Sequence, residues 1–597
     1  MSANAWLMVG ILAVTFGLLL KTKLPPVSVF LGALTAAITF GLVPLDQGLK
    51  GFSNTGMLTI GALLMVAAGM YSTGAITLIT DRLIGRPKTI LKAQGKILPP
   101  VAIFSAFLNN TPIVAMFIPV IRDLSRTCRL AAKRLYIPLS YASIFGGTCT
   151  LIGTATNLVV AGMIIDQIAK KVPGAPPMRE LGMFDLSWVG VPLTIIGTAY
   201  MMLLSRWLLP KEEEIEDEEI IRRRYRAEFA VEKGSAVIGK TLEELGFVDP
   251  VGFELLSLIR PGSSVPERKP DLQLQEGDEL VFSAGIDALP DLWSINGLTP
   301  KYAYGKMESE RSTHSLVETS IAPTCSAIGR KVSDMPLPDS PYNINVVAVS
   351  RYGEPIEGEL LNAQIEVGDN VVLEVDDSFF NENLNEQQFS LVSRIAGARI
   401  KRYNRAVIAT VITVAMVAVV AAGVMNMLNA AMLASGAMLL TGCLTLRQAG
   451  RSVEFGTLLV IASAIGLAEA VTTSGLSDVL ADLLLKIGGD NLYIALVVVF
   501  LGCIFMDTLV TNVASAAFMF PIAVNMAAQL NANFMPFAIT LMVGASCSFI
   551  SPMGYATNLM VYTAGEYEFS DFVKFGVPLT ILVGIVTIIL TPMFFKF

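Results

Sequence analysis

Two apolar runs in this chain are each interrupted in mid-run by polar, helix-breaking residues, and that pattern restricts the fold more than any other feature. Residues 101–108 are apolar, Asn109-Asn110-Thr111-Pro112 intervenes, and 113–121 is apolar again. Near the other end, Asp507-Thr508-Leu509-Val510-Thr511-Asn512 interrupts a second apolar run, which resumes over 513–524. In hydrocarbon every backbone N–H and C=O needs a partner, so such breaks survive only where they face protein or water. A re-entrant hairpin with its tip at Asn110, and a second with its tip at Asn512, satisfies this constraint. A plain helix with a polar patch is the alternative.

The flanking sequence sets these breaks among spans long enough to cross a bilayer, which takes roughly 20 apolar residues each. Spans are expected near 4–20, 27–43 and 56–80, then the interrupted stretch 97–121, then 136–162 and 187–209. The rhythm returns at 406–421, 428–446 and 455–473, with the interrupted stretch 491–524, then 535–562 and 575–595. The run 6–20 lacks a basic flank and a small-residue cleavage site, so it reads as a retained membrane segment and not a signal peptide. Charged residues are only 16% of the chain and hydrophobic ones 53%, and the charge concentrates in 210–405, which reads as soluble protein. Positively charged loops stay in the cytosol. Placing 210–405 there also puts Lys21 and Lys23, Arg82, Arg86, Lys88, Lys92 and Lys96, Arg122, Arg126, Arg129, Lys133 and Arg134, and Arg447 and Arg451 on that side. The opposite loops 44–55, 422–430, 474–490 and 525–534 carry only Lys50 and Lys486, while 163–186 runs against the trend with Lys170, Lys171 and Arg179.

Short words recur in the same order in both halves. Asn110 precedes Pro119 by the same interval as Asn512 precedes Pro521; Gly146-Gly147-Thr148-Cys149 is echoed by Gly544-Ala545-Ser546-Cys547. Ala155-Thr156-Asn157-Leu158 is echoed by Ala556-Thr557-Asn558-Leu559, and Gly190-Val191-Pro192-Leu193-Thr194-Ile195 by Gly576-Val577-Pro578-Leu579-Thr580-Ile581. An odd number of crossings per half inverts the second half relative to the first. Inverted repeats with broken helices at matching places point to a transport site near the midplane. The expected organisation is therefore an α-helical polytopic membrane protein of two inverted-topology repeats, 1–209 and 401–597. Each holds a hairpin (97–121; 491–524) and a broken helix (136–162; 535–562).

Between the repeats, an acidic linker over 210–227 leads to two similar modules, 228–296 and 315–378. Gly239-Lys240-Thr241-Leu242 and Leu274-Gln275-Glu276-Gly277-Asp278 in the first answer to Gly329-Arg330-Lys331-Val332 and Ile365-Glu366-Val367-Gly368-Asp369 in the second. Alternating apolar residues beside Gly-Asp turns argue for short strands around a helix, an α+β unit. No Gly-x-Gly-x-x-Gly follows a strand, so a dinucleotide site is unsupported. The charge, −7 overall, offers no nucleic-acid footprint. His314 is the only histidine, and Cys128, Cys149, Cys325, Cys443, Cys503 and Cys547 are scattered, so neither a metal cluster nor a disulfide framework is expected. Cys149 and Cys547 read as small packing residues in symmetric positions. No nucleophile–base pair or phosphate loop suggests an enzyme.

On these motifs the membrane halves resemble the divalent anion:sodium symporter family, and the modules resemble TrkA-C (RCK-C) domains. The family's Ser-Asn-Thr tips correspond here to Asn109-Asn110-Thr111 and Thr511-Asn512-Val513, and its helix breaks to 146–157 and 546–558. The resemblance implies an elevator-type sodium symporter, a homodimer, in a bacterial inner membrane. It implies two Na+ sites, one from Asn109, Asn110 and Gly153, the other from Thr511, Asn512 and Ser551. It implies anion contacts from Asn110, Thr111, Thr156, Asn157, Asn512, Thr557 and Asn558, and a small-molecule ligand or a dimer contact for the modules.

The residues support this chemistry independently. Exposed half-helix N-termini carry free N–H groups and positive partial charge, which suit an anion; broken-helix carbonyls suit Na+. Asp507, an acid inside an apolar run, is a functional candidate by position, either coordinating a cation or carrying a proton; the first half has Ser105 there. Glu469, near a helix end, reads as structural. By resemblance alone, the pairing with TrkA-C-like modules implies sulfate among small divalent oxyanions. A C4-dicarboxylate, a sulfonate or arsenite on the same fold, a proton-coupled antiporter and a channel gated by the modules are the rivals.

Overall fold

The computed structural model describes residues 2–22, 24–75, 87, 89–128, 130–170, 175–210, 405–488 and 491–597 of one compact unit. It describes 224–235, 237–248, 252–260, 263–264, 270–286, 288–295, 297–301, 314–334, 344–375 and 389–395 of a second. The acidic stretch 211–219, Arg222, Arg223, residues 76–80 and 376–378, and Lys23, Arg82, Arg86, Lys88, Arg129 and Lys171 lie outside the described residues.

The first unit is helical. Its first half runs through α1 (Ala3–Lys21), α2 (Pro26–Thr39), α3 (Thr55–Ser72), α4 (Ile90–Ser105), α5 (Asn110–Cys128), α6 (Lys133–Gly147), α7 (Ala155–Lys170) and α8 (Ser187–Leu208). After the second unit come α9 (Ala406–Ala421), α10 (Met427–Leu440), α11 (Phe455–Thr473), α12 (Leu476–Gly488), α13 (Leu492–Leu509), α14 (Asn512–Gln529), α15 (Met535–Ser546), α16 (Ala556–Ala564) and α17 (Phe569–Phe594). Short helices Leu45–Gly48 and Leu446–Ser452 precede α3 and α11. Among the described residues, α3, α8, α11 and α17 are long and apolar enough to cross a membrane by length and composition. They stand at matching places in the two halves. The helices are interrupted at 106–109, 148–154, 510–511 and 547–555, so the interrupted stretches are helix pairs; the α4–α5 and α6–α7 pairs extend past the expected bounds at both outer ends, and α14 and α16 past them at their C-terminal ends. Within the expected loop 474–490 the structure has the helix α12. That stretch is amphipathic, with acids at Asp478 and Asp482 beside apolar Leu480, Leu484 and Leu485, so an apolar-run criterion passes over it.

Caps explain several helix starts. The Asn54 carbonyl oxygen accepts from the backbone N–H of Gly56 and Met57 at 2.9 and 3.3 Å and begins α3. Asn426 and Asn491 do the same for α10 and α13, each supplying an acceptor for orphaned N–H groups. Packing alternates between the halves: α2 lies on α11 while α10 lies on α3, α7 on α14 while α16 lies on α5, and α8 on α17. Small residues allow the closest approaches. A Cβ at Gly190 of α8 would collide with the Thr148 carbonyl, and one at Gly576 of α17 with the Phe549 carbonyl. The repeated Gly-Val-Pro word thus seats each of these helices on the broken stretch of its own half.

The second unit, residues 213–402, is built on one sheet. Its strands are β1 (Arg224–Val231), β2 (Phe253–Arg260), β3 (Ser263–Ser264), β4 (Glu279–Gly285), β5 (Leu298–Pro300), β6 (Ser315–Ile321), β7 (Ile344–Arg351), β8 (Glu354–Pro355), β9 (Asn370–Val375) and β10 (Phe389–Arg394). They run β10-β6-β9-β7-β1-β4-β2-β3, with β5 on β1 and β8 on β7. The β1–β7 pairing joins the modules, setting Arg226 opposite Val349 and Ala227 opposite Ala348. One apolar core fills the first module and reaches Leu316, Val347, Ala348 and Val372 of the second, and another lies wholly within the second. The expected helix occurs among the described residues only as Leu289–Ser294 in the first module; the second has short 3-10 turns at Val332–Asp334 and Leu360–Asn362.

One polar device is built twice. In the first Gly-Asp turn, Asp278 Oδ1 accepts from Arg260 Nε at 2.7 Å, and its Oδ2 from Arg260 Nη2 at 2.8 Å and from the Gln275 N–H at 2.8 Å. In the second, Asp369 accepts from Arg351 at 2.8 and 2.9 Å and from the Glu366 N–H at 2.8 Å. Both aspartates are buried. Such forked, charge-assisted bonds fix geometry as well as energy. Asp278→Ala strands the Arg260 guanidinium and is expected to destabilise the first module by about 3 kcal/mol. Faster limited proteolysis within 224–301 of the full chain would report it; wild-type resistance would overturn it.

Candidate transport site

Opening a helix in mid-path frees the carbonyls of its last turn. Two asparagines recover them in the same manner. Asn157, in the first turn of α7, donates through Nδ2 to the carbonyls of Gly147 and Thr150 at 3.1 and 2.9 Å. Asn558, in the first turn of α16, donates to the carbonyls of Ser548 and, at 3.2 Å, Ser551. This common register pairs Gly147 with Ser548 and Thr150 with Ser551. Cys149 and Cys547 are therefore not equivalent, because the second broken loop is longer and the shared Gly/Cys words slip past one another. Gly153 likewise stands at the register of Gly554, and Ser551 at that of Thr150. Ser551 Oγ accepts from the Met553 N–H at 3.1 Å.

At the breaks between α4 and α5 and between α13 and α14, neighbouring residues divide the work. Asn109 Oδ1 accepts from the Thr111 N–H, and Thr511 Oγ1 from the Ala514 N–H, each at 3.4 Å; both side chains cap the helix that follows. The next residue in each case reaches into the other half. Asn110, fully buried, donates through Nδ2 to the Tyr555 hydroxyl oxygen at 2.6 Å and accepts from Ser105 Oγ at 2.5 Å. Asn512 donates to Thr156 Oγ1 at 3.1 Å. Ser140 of α6 crosses as well, within 2.9 Å of Thr557 Oγ1 and 2.7 Å of Asn558 Oδ1. Asn110 and Asn512 are thereby each tied to the helix break of the opposite half.

Asp507 Oδ1 and Asn157 Oδ1 are among the buried oxygens with no hydrogen-bond partner in the described residues, as is Ser546 Oγ at the end of α15. Asp507 lies on α13 and packs at the second break, where a Cβ on Gly554 would collide with Ser548 Oγ and sit 3.1 Å from Asp507 Oδ2. Open oxygen acceptors suit a hard cation, while the N-terminal ends of α5, α7, α14 and α16 suit an anion. A cleft beside the first tip is lined by Ile60, Leu64, Asn109, Ile152, Gly153 and Leu158. A second is lined in part by Gln47, Lys50, Asp166, Lys170, Glu469 and Thr472. In this second cleft Lys170 binds Glu469 at 2.7 Å, Lys50 lies 3.8 Å from Asp166, and Asn54 Nδ2 donates to Asp166 Oδ2 at 3.0 Å. Glu469 is thus an ion-pair partner of α7.

The structure adds Ser105, Ser140 and Tyr555 to the residues singled out by sequence. Ser105 occupies the Asp507 position of the first half, a signal visible in the sequence. Tyr555 stands three residues before Asn558, where the first half has Thr154, and no shared word marks it. Asn110→Ala and Asn512→Ala are each expected to abolish uptake while leaving the protein folded; normal transport by both would overturn the site. Gly147→Ala should behave similarly, because the new Cβ would lie 2.5 Å from Thr154 Cγ2 and 2.9 Å from Asn110 Oδ1. Displacing Asn110 by about 1 Å is expected to slow uptake about 100-fold, and a wild-type rate would show that the tip tolerates the shift.

Comparison with known proteins agrees with this architecture. A family model described as "Citrate transporter" (CitMHS) matches residues 16–544. Sodium/sulfate cotransporter 1 of Chlamydomonas reinhardtii is 24% identical, over 98% of this chain and 90% of its own. A second protein of that alga, named for a sulfur deprivation response, is 29% identical over 94% of this chain and 97% of its own. The Escherichia coli transporter YfbS, described as uncharacterised, is 26% identical over 98% of each chain. The chain is a transporter and not an enzyme, a polytopic membrane protein that belongs to the citrate transporter family.

Proposed function

We propose that the protein is a sodium-coupled symporter for a small divalent oxyanion, sulfate foremost. The observation that carries this reading is the reciprocal tie of Asn110 to Tyr555 and of Asn512 to Thr156. It gathers helix N-termini and neutral donors from both halves around one place without a lysine or arginine in the motifs. A divalent anion held by dipoles and amides alone needs cotransported cations to balance it in low dielectric. Asn109, Asn110, Gly153 and Asn157 on one side, and Asp507, Thr511, Asn512 and Ser551 on the other, supply oxygens for Na+. Thr111, Thr156, Thr557 and Asn558 complete the anion's surroundings. The names of the sodium/sulfate cotransporters of Chlamydomonas reinhardtii favour sulfate.

The same reading makes the halves inverted repeats that alternate access by an elevator motion, with hairpins formed by α4–α5 and α13–α14. It makes 228–296 and 315–378 a pair of TrkA-C-like modules in the cytosol that sense a ligand or hold a homodimer, in a bacterial inner membrane. The name of the matching family favours a second reading, in which the same site carries citrate or another carboxylate.

Radiolabelled sulfate uptake into proteoliposomes, with and without an inward Na+ gradient, separates the two. Sodium-stimulated uptake that excess citrate and succinate fail to compete supports sulfate; uptake of those acids with none of sulfate moves the substrate to the second reading. Asp507→Asn is expected to change the sodium or proton dependence of uptake, and an unchanged dependence would remove Asp507 from the coupling site.

A further inference from the structure

Tyr555 is the residue before the first turn of α16, with φ −135° and ψ 131°, and its side chain makes no capping bond. Ser, Thr, Asp and Asn are the side chains that cap there, so a buried tyrosine at this place serves something other than the helix start. Its hydroxyl oxygen accepts from Asn110 Nδ2 at 2.6 Å, and Asn110 in turn accepts from Ser105 Oγ at 2.5 Å. The chain of donors therefore runs one way, from Ser105 through Asn110 to the phenol. Hydrogen bonds in series polarise one another, so a phenol that already accepts becomes a better donor. Among the described residues, no acceptor takes the phenol's own proton. A buried donor left unmet is costly.

At the matching register the first half carries a smaller hydroxyl, Thr154, which accepts from the Asn157 N–H of its own helix start at 3.3 Å. The second half instead presents a phenol tied to the opposite half through Asn110, one residue from Gly554, which itself packs against Asp507. A carboxylate that suits a cation and a phenol that suits an oxyanion therefore flank the same break.

We infer that Tyr555 is a specificity-determining residue whose hydroxyl donates a hydrogen bond to an oxygen of the transported anion, an inference that rests on the anion site proposed above. A neutral donor at the end of a polarised chain recognises any oxyanion oxygen without adding positive charge.

The test compares wild type with Tyr555→Phe, which keeps the ring and removes only the hydroxyl, in Na+-driven uptake by proteoliposomes. The KM for sulfate is expected to rise about tenfold or more, with the maximal rate and the Na+ half-saturation little changed. An unchanged KM would overturn the inference. So would a shifted Na+ half-saturation with an unchanged KM, which would mean that the phenol serves Asp507 or its cation. If wild type carries no sulfate, the substrate reading fails by itself. The comparison is then made on citrate or succinate, whichever is carried, where the same KM rise supports the role of Tyr555 and its absence overturns it. Should Tyr555→Phe fail to fold, Ser105→Ala removes the head of the donor chain, and a raised anion KM at constant Na+ half-saturation is again the supporting result, an unchanged KM the contrary one.

Discussion

A helix opened inside a membrane protein leaves carbonyls that water cannot reach, and the site depends on how they are met. An unpaired buried amide group costs roughly 2–7 kcal/mol, so two open helices would outweigh the net stability of an ordinary domain if left unmet. The side chains of Asn157 and Asn558 each bridge two such carbonyls. Tyr141 donates to the Phe549 carbonyl and Ser187 to that of Cys149. With these bonds in place, the breaks become fixed polar surfaces, and the adjoining helix ends can face a solute.

The halves complete each other. Neither tip asparagine finds its Nδ2 acceptor in its own half, and Ser140 of the first half bonds residues of the second. The interleaved packing of α2 on α11 and α10 on α3 gives the same answer on the apolar side. The matching places differ where chemistry enters. Ser105 stands where the other half has Asp507, and Thr154 where it has Tyr555, so one break is hydroxylic and the other carries a carboxylate and a phenol.

Much of this was legible in the sequence because Asn, Pro and Gly announce broken helices. The interruptions at Asn109–Asn110 and Thr511–Asn512 mark where helices restart. The words around Asn157 and Asn558 mark the helix restarts, and the Gly-Asp turns mark the two buried aspartates that the arginines brace. What could not be read is whatever depends on distance through space. The Gly/Cys words suggest a loop register that the longer second loop breaks. Arg260 and Arg351 lie far in sequence from the turns they brace. Tyr555 has no partner word at all, and its importance appears only when Asn110 of the other half arrives beside it. The helix α12 escaped because its apolar residues lie on one face and not in a run.

Asn54 ties two events together. Its carbonyl oxygen holds the first N–H groups of α3, and its amide holds Asp166 of α7, while Gly162 of α7 leaves no room for a Cβ against it. Sliding α7 along α3 therefore means pulling Asp166 off the residue that caps α3, while Lys170 separately anchors α7 to Glu469 of α11. The start of one helix and the seating of another thus share a single side chain, so a change at Asn54 disturbs both at once.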